Sequence, residues 1–135
     1  MAFTYRFDLN IDWTELKRAL AADDFDNGRT PEQLEKSFRN SLSACIAYCD
    51  GQIVGTARVL SDGVCNAYLL DVWTKRQFRK QGIARLMVES LVAPLRGQHV
   101  YLQSDEDTID FYLKLGFKPH PSGLAKVVGT WLRDA

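Results

Sequence analysis

Several absences narrow the field before any motif is read. The chain has only three cysteines, Cys45, Cys49 and Cys65, an odd set without CxxC spacing, which argues against a disulfide framework and against a thiolate zinc site. Reduced thiols packed as small buried hydrophobes are the simpler reading. No run approaches the roughly 20 apolar residues that span a bilayer. The N-terminal stretch MAFTYRFDLNIDWTEL carries charges throughout in place of an apolar leader core. Both features point to an unsecreted, cytoplasmic protein with no membrane partner. An excess of either charge is missing too, because 17 basic and 17 acidic side chains cancel. No overall field therefore recruits nucleic acid or an acidic lipid surface. Neither GxxxxGK followed by Ser or Thr nor GxGxxG occurs, which removes the P-loop and the dinucleotide fold. There is no repeat and no low-complexity linker. At 135 residues, 46% hydrophobic and 25% charged, the chain suits one domain, 1–135, with one sizeable core.

What is present alternates between strand and helix patterns. Thr4–Leu9 alternates like a strand. Asp12 can cap a helix running to about Ala21, and Thr30-Pro31 begins another to about Asn40. Ala44–Cys49 and Ile53–Leu60 flank Asp50-Gly51, a strong hairpin signal. Ser61-Asp62-Gly63 turns the chain into Ala67–Thr74, an apolar strand. Val100–Ser104 reads as the next strand. Phe117 begins another, and Leu124–Leu132 supplies the last.

The stretch FRKQGIARL, Phe78–Leu86, is the most informative. It joins the apolar strand Ala67–Thr74 to a helix whose apolar face is Ile83, Leu86, Met87, Ser90 and Leu91, ending before Pro94. A helix start has unpaired N–H groups and the positive end of the helix dipole, so it attracts phosphate. Gly82 permits close approach of the backbone, Ala84 keeps the first turn small, and Arg79, Lys80 and Arg85 add charge. A solvated basic loop fits the same residues. The second stretch, IDFYLKLGF at Ile109–Phe117, places Tyr112 mid-helix beside Ile109 and Leu113, with Gly116 as the residue that stops the helix. A Ser104-Asp105 pair precedes it and can cap orphan N–H groups. Taken alone, Tyr112 reads more readily as a core tyrosine whose hydroxyl finds a partner than as a catalytic one.

Together, in this order, the motifs resemble the GNAT superfamily of acetyl-CoA-dependent N-acetyltransferases. That family shows an apolar strand, then Gln or Arg followed at fixed spacing by Gly and by Gly or Ala at a helix start, then a strand, then a helix ending in FYxxxGF. The matching residues are Asp71–Thr74, then Arg79, Gly82 and Ala84, then Val100–Ser104, then Phe111, Tyr112, Gly116 and Phe117. The run GQIVGTARVLSDGVCNAYLLD and the earlier RTPEQLEKSFRNS look like the small plastid and bacterial serotonin-type (arylalkylamine) branch.

The resemblance implies an α/β fold with a mixed, mostly antiparallel sheet of six to seven strands, a splayed parallel pair, and helices on both faces. It implies acetyl-CoA as co-substrate, with no metal. Main-chain groups of Val72, Trp73 and Thr74 would meet the pantetheine arm and acetyl carbonyl. Arg79, Lys80, Gln81, Gly82, Ile83 and Ala84 would hold the pyrophosphate, and Asp105 belongs to the same binding set. Tyr112 would protonate the departing thiolate, and transfer would be direct, without an acyl-enzyme.

An alkylamine has to lose a proton before it attacks. Asp71 is the candidate base because it interrupts an apolar strand, although an Asp capping a bulge or pairing with a basic side chain fits as well. Many relatives carry Glu where this chain has Gln103, which cannot take that proton; His99 and His120 read as surface residues. The loop Ala22–Arg29 offers Asp23, Asp24, Asp26 and Phe25 to an acceptor amine, or is a solvated acidic loop. A small-molecule amine is the expected acceptor, with an arylalkylamine as the leading guess and a protein lysine or N-terminus left open, and a sheet-edge homodimer is an assembly seen in the family. The competing function is a CoA-binding sensor or scaffold without useful catalysis.

Overall fold

The computed structural model describes residues 2–135. Its elements are β1 (Phe3–Arg6), α1 (Trp13–Ala22), α2 (Pro31–Arg39), β2 (Ser43–Cys49), β3 (Gln52–Ser61), β4 (Asn66–Thr74), α3 (Ile83–Val92), β5 (His99–Tyr101) and α4 (Ile109–Lys114). Local chemistry sets most boundaries. The Asp12 carboxylate accepts the Glu15 N–H at 3.0 Å and opens α1. α2 opens on a reciprocal cap. Thr30 Oγ1 takes the Gln33 N–H at 3.1 Å while Gln33 Oε1 takes the Thr30 N–H at 2.9 Å, with Pro31 in the first helical position. Asp50 and Gly51, at φ 51° and 77°, make the two-residue turn whose handedness suits the twist of β2 and β3. α4 stops at Gly116, where its N–H bonds Leu113 O and the Phe117 N–H bonds Tyr112 O, both at 3.1 Å, the paired bonds of a Schellman motif.

The sheet runs β1-β2-β3-β4-β5, with β1 to β4 antiparallel and β4 parallel to β5. Alternation along the strands divides the core in two. On one face Leu16, Leu20, Leu34 and Phe38 of α1 and α2 cover Ile46, Ile53 and Trp73. On the other, Ile83, Met87, Val88 and Leu91 of α3 cover Cys45, Ala47, Ala57, Val59 and Leu69. Gly55 lets α3 come close: a Cβ there would stand 3.1 Å from Met87 Cε and from Trp73 O. β5 pairs only Asn66–Tyr68, through His99–Tyr101, so β4 runs on to Thr74 with no parallel partner. The mixed sheet, its parting pair and its two helical layers are as the sequence leads one to expect.

Several expectations need correction. Five strands, not six or seven, form among the described residues. No strand starts at Phe117 or occupies 124–132, where Leu124 and Val128 are 100% and 90% exposed. Pro119 and Pro121 lack the N–H a ladder needs, and Gly123 and Gly129 loosen the rest. β1 ends at Arg6, because the Asp8 carboxylate takes both the Arg6 side chain and the Asn10 N–H and turns the chain. β5 ends at Tyr101. Leu86 faces outward and Val88 takes its expected place inside. Cys65 lies exposed in the turn before β4, whereas Cys45 and Cys49 are buried. The side chain of Asp105 makes no cap bond; its carbonyl accepts the Thr108 N–H and hydroxyl, each at 3.0 Å, in a 3-10 turn ahead of α4.

Candidate active site

The site starts at an irregularity in β4. Thr56 pairs with Trp73 and Arg58 with Leu70, which leaves Asp71 and Val72 opposite the single Ala57, a β-bulge. Asp71 sits there at φ 52°, in a left-handed conformation that Asp tolerates better than most residues. Hydrogen bonds hold all three of its oxygens. Arg29 grips the carboxylate in a fork, Nη1 to Oδ2 at 2.8 Å and Nη2 to Oδ1 at 2.9 Å; Arg58 Nε reaches Oδ2 at 2.6 Å, and Thr56 Oγ1 donates to the Asp71 carbonyl at 2.7 Å. Other guanidinium protons are satisfied nearby. Arg29 Nε donates to Asp26 O at 3.0 Å, and Arg58 Nη1 to Ser37 O and Ser41 Oγ, both at 3.2 Å. Burial alone would raise the Asp71 pKa, but the two guanidiniums hold it below the ordinary carboxylate range. Of the two readings open for Asp71, the structure displays the one at a bulge with basic partners. Work as a base would require breaking that pairing.

Beyond the bulge, Trp73 points its ring into the α1/α2 side of the core and is 2% exposed. Its indole N–H bonds Asp23 Oδ2 at 2.9 Å, and the same oxygen takes the Arg76 N–H at 3.2 Å. Trp73 therefore lines no cleft with its side chain. Arg79 reaches back, donating from Nε to Thr74 O at 3.0 Å. Lys80 and Gly82 then take φ 63° and 83° and swing the chain into α3. Gly82 has no side chain to cap the helix. The N–H groups of Ile83, Ala84 and Arg85 have no protein acceptor among the described residues. A Cβ at Gly82 would meet nothing within 4 Å. The helix start thus lies open with its donors unpaired, as helix N-termini that can accept an anion do. Close by, the Thr74 hydroxyl is buried without a partner among the described residues, an uncommon arrangement in a folded protein.

Tyr112 is held from behind. Its carbonyl accepts the Phe117 N–H, and the rings of Phe117 and Phe111 stand 5.8 Å and 4.9 Å from its own. The motif that ends α4 therefore also fixes this phenol. Burial pushes its pKa up to about 12, and its hydroxyl makes no hydrogen bond to the protein among the described residues. It borders a cavity of about 1440 Å³ along the open side of β5, lined also by Tyr68, Tyr101, Phe117, His120 and Trp131. Among the described residues, no carboxylate lines this cavity. Gln103 borders it too; His99 lies on exposed β5, and His120 stacks near Tyr101 at 5.1 Å with Ser122 Oγ 3.3 Å from its Nε2. Asp105 is exposed at the turn before α4.

In the loop from Ala22 to Arg29, Asp24 is exposed and the other candidates are engaged by the protein. Asp23 is bound to Trp73 and Arg76, Asp26 pairs with Lys17, and Phe25 packs on the α1/α2 core. Lys17 keeps Asp26 below the ordinary range against the opposing effect of burial. The residues that sequence reading missed are Arg29, Thr56 and Arg58. Arg58 carried a signal, since an arginine inside the apolar run IVGTARVL needs a buried anion, and Asp71 is the anion out of place in its own strand.

The comparisons with known proteins give the family and the fold. The model of the Acetyltransferase (GNAT) family matches residues 9–117. The chain belongs to the GNAT family. Serotonin N-acetyltransferase 2, chloroplastic, of Oryza sativa subsp. japonica is 31% identical over 103 residues, covering 71% of this chain and 52% of that protein. Against curated GNAT relatives the chain spans between 30% and 52% of their own length. Among solved GNAT folds, a GNAT family acetyltransferase of Streptococcus pneumoniae superposes with a TM-score of 0.81 at 20% identity, over 96% of this chain and all of that one. A protein of Clostridium acetobutylicum described as a "predicted acetyltransferase with acetyl-CoA" superposes at 0.68 and 22% identity, over 93% and 96%. Among the described residues, no helix is long and apolar enough to cross a membrane, and no group of His, Cys, Asp and Glu is placed to hold a metal ion.

Proposed function

We propose that this protein moves an acetyl group from acetyl-CoA directly onto a primary amine, with a small arylalkylamine as the acceptor class. One observation carries the reading. A strand that continues past its parallel partner leads through a bulge to an uncapped helix start, and a half-buried phenol whose hydroxyl makes no hydrogen bond among the described residues borders a cavity along β5. The residues fit the co-substrate. Unpaired N–H groups from Ile83 to Arg85, with Arg79, Lys80 and Gln81 on the approach and Gly82 at the turn, suit a pyrophosphate. Main-chain groups of Val72, Trp73 and Thr74 suit an extended amide-bearing arm, as in strand addition. Acetyl-CoA, when bound, supplies the activated thioester.

The chain's own groups then do three things. A backbone N–H at the bulge steadies the charge that develops on the carbonyl oxygen. The Tyr112 hydroxyl, protonated throughout the neutral range, hands its proton to the departing sulfur as the C–S bond breaks and the C–N bond forms. The tyrosine-rich wall formed by Tyr68 and Tyr101, with Phe117 and Trp131, suits an aromatic acceptor, in line with the rice relative's being a serotonin N-acetyltransferase. Cys45, whose thiol burial raises to about 11, is no nucleophile, in keeping with transfer lacking an acyl-enzyme. With Asp71 engaged by two arginines, proton removal from the amine is left to His120, which lines the cavity, or to water, and turnover of His120→Gln separates the two.

The test is release of free CoA thiol from acetyl-CoA with a panel of arylalkylamines, polyamines and lysine peptides. Release that depends on an arylalkylamine supports the reading. Acetyl-CoA binding with no amine-dependent release would instead make the protein a CoA-binding sensor.

A further inference from the structure

We propose that Arg29, Arg58 and Thr56 are positioning residues that lock Asp71 in its left-handed bulge and thereby aim the backbone N–H groups after it at the acetyl oxygen. The inference rests on the acetyl-transfer reading and says how that site is kept in register. A bulge with a non-glycine residue at positive φ persists only when its surroundings over-determine it. Here three side chains do so. Thr56 and Arg58 approach from β3 and Arg29 from the loop between α1 and α2; Thr56 bonds the Asp71 carbonyl, while the two arginines share its carboxylate and meet at Oδ2. The side chains of Arg29, Arg58 and Asp71 are 7%, 9% and 9% exposed, so solvent cannot replace a lost bond. The fork from Arg29 fixes orientation as well as distance, which a lysine cannot do.

The same arginine ties two parts of the site together. Through Nε it holds Asp26 O, and Asp26 in turn holds Lys17 on α1. The loop beside the bulge and the bulge itself are one bonded unit. Small displacements of a donor from a reacting oxygen have large kinetic effects, so this unit sets the rate without touching the acetyl group.

The experiment reads the carbonyl directly. Acetyl-CoA labelled with 13C at the acetyl carbonyl is bound to the protein, and the thioester C=O stretch is followed by infrared difference spectroscopy, with binding, turnover and melting measured on the same samples. Arg29→Lys keeps the charge and loses the fork; Thr56→Val removes one uncharged bond and is the second probe should Arg29→Lys fail to fold. The expected result is a downshift of the stretch in the wild type and its loss in both variants. Acetyl-CoA affinity stays within about threefold, and kcat falls roughly tenfold or more, with the pH–rate profile keeping its shape. A full downshift and full turnover in either folded variant would overturn the proposal. So would a pH profile displaced by Arg29→Lys, which would make Asp71 the base after all. If the wild type itself binds no acetyl-CoA, the acetyl-transfer reading fails first and takes this inference with it; binding with an unchanged stretch sinks the inference alone.

Discussion

The two faces of the sheet handle their polar groups in opposite ways. Toward α1 and α2, polar groups are bonded to one another: Asp23 to Trp73 and Arg76, Lys17 to Asp26, Glu15 to the Ile53 N–H at 3.0 Å, and Arg29 and Arg58 to Asp71. Toward α3 and α4, donors stand without partners, in the first turn of α3 and at the Tyr112 hydroxyl. A buried polar group left unmatched costs free energy, and the one such side-chain atom among the described residues, Thr74 Oγ1, lies in β4 just before the turn into α3. One face is bonded within itself and the other offers open donors, the contrast on which the proposed co-substrate site rests.

The sharpest way to break this contrast is to empty the matched side. Asp71→Ala leaves two guanidiniums facing each other in the interior, and removing one partner of a buried pair costs about 3–5 kcal/mol. Urea unfolding should show that loss; a change below about 1 kcal/mol would mean that solvent screens the cluster, contrary to its burial. The pH dependence follows with a definite sign. The folded Asp71 pKa is depressed, so its stabilisation is in force above the unfolded value of about 3.9 and fades as pH falls below it through the folded value. Asp71→Asn should therefore flatten the acid limb of stability against pH below about pH 4.

Next comes the receptive side. Tyr112→Phe removes only the hydroxyl, so melting should hold while kcat drops about a hundredfold, the lower end for a proton donor and worth about 2.7 kcal/mol. CoA affinity should be unchanged by calorimetry. Because burial raises the phenol to about 12, the wild-type rate should show no decline assignable to Tyr112 between pH 7 and about pH 10. A fall in that interval that Tyr112→Phe abolishes would show the phenol ionising far earlier than its surroundings allow.

The two sides were also unequally legible in the sequence. Receptive features are local: a glycine at a turn, a helix start, a phenol four residues before the glycine that stops its helix. Spacing alone exposes them, and Gly82, Tyr112 and Gly116 stand where the motifs put them. The matched features are long-range. Arg29 and Asp71 are 42 positions apart and Asp23 and Trp73 are 50 apart, and no periodicity links such pairs. The β4 bulge was hidden for the same reason, since it exists only relative to β3. The missing last strand is a different failure: the apolar residues of 124–132 satisfy a strand pattern, but two nearby prolines and two glycines withhold the ladder.

The smallest effect offers the cleanest comparison, because the chain contains its own control. Gly82 and Gly63 have nearly the same backbone, φ 83° and 82°, and a Cβ on either would meet nothing within 4 Å. Gly82→Ala and Gly63→Ala should therefore each cost about 1–2 kcal/mol, the penalty of a left-handed conformation for an L side chain. They should differ only in ligand binding. Gly63 lies in the turn before β4, whereas Gly82 opens α3 where N–H groups await an anion. A methyl at Gly82 intrudes on that approach, so its CoA affinity should fall roughly tenfold, about 1.4 kcal/mol, while Gly63→Ala binds like the wild type. Equal affinities in the two variants would mean that the coenzyme is gripped by side chains instead of by the backbone of this turn, and the contrast between the two faces would lose its strongest support.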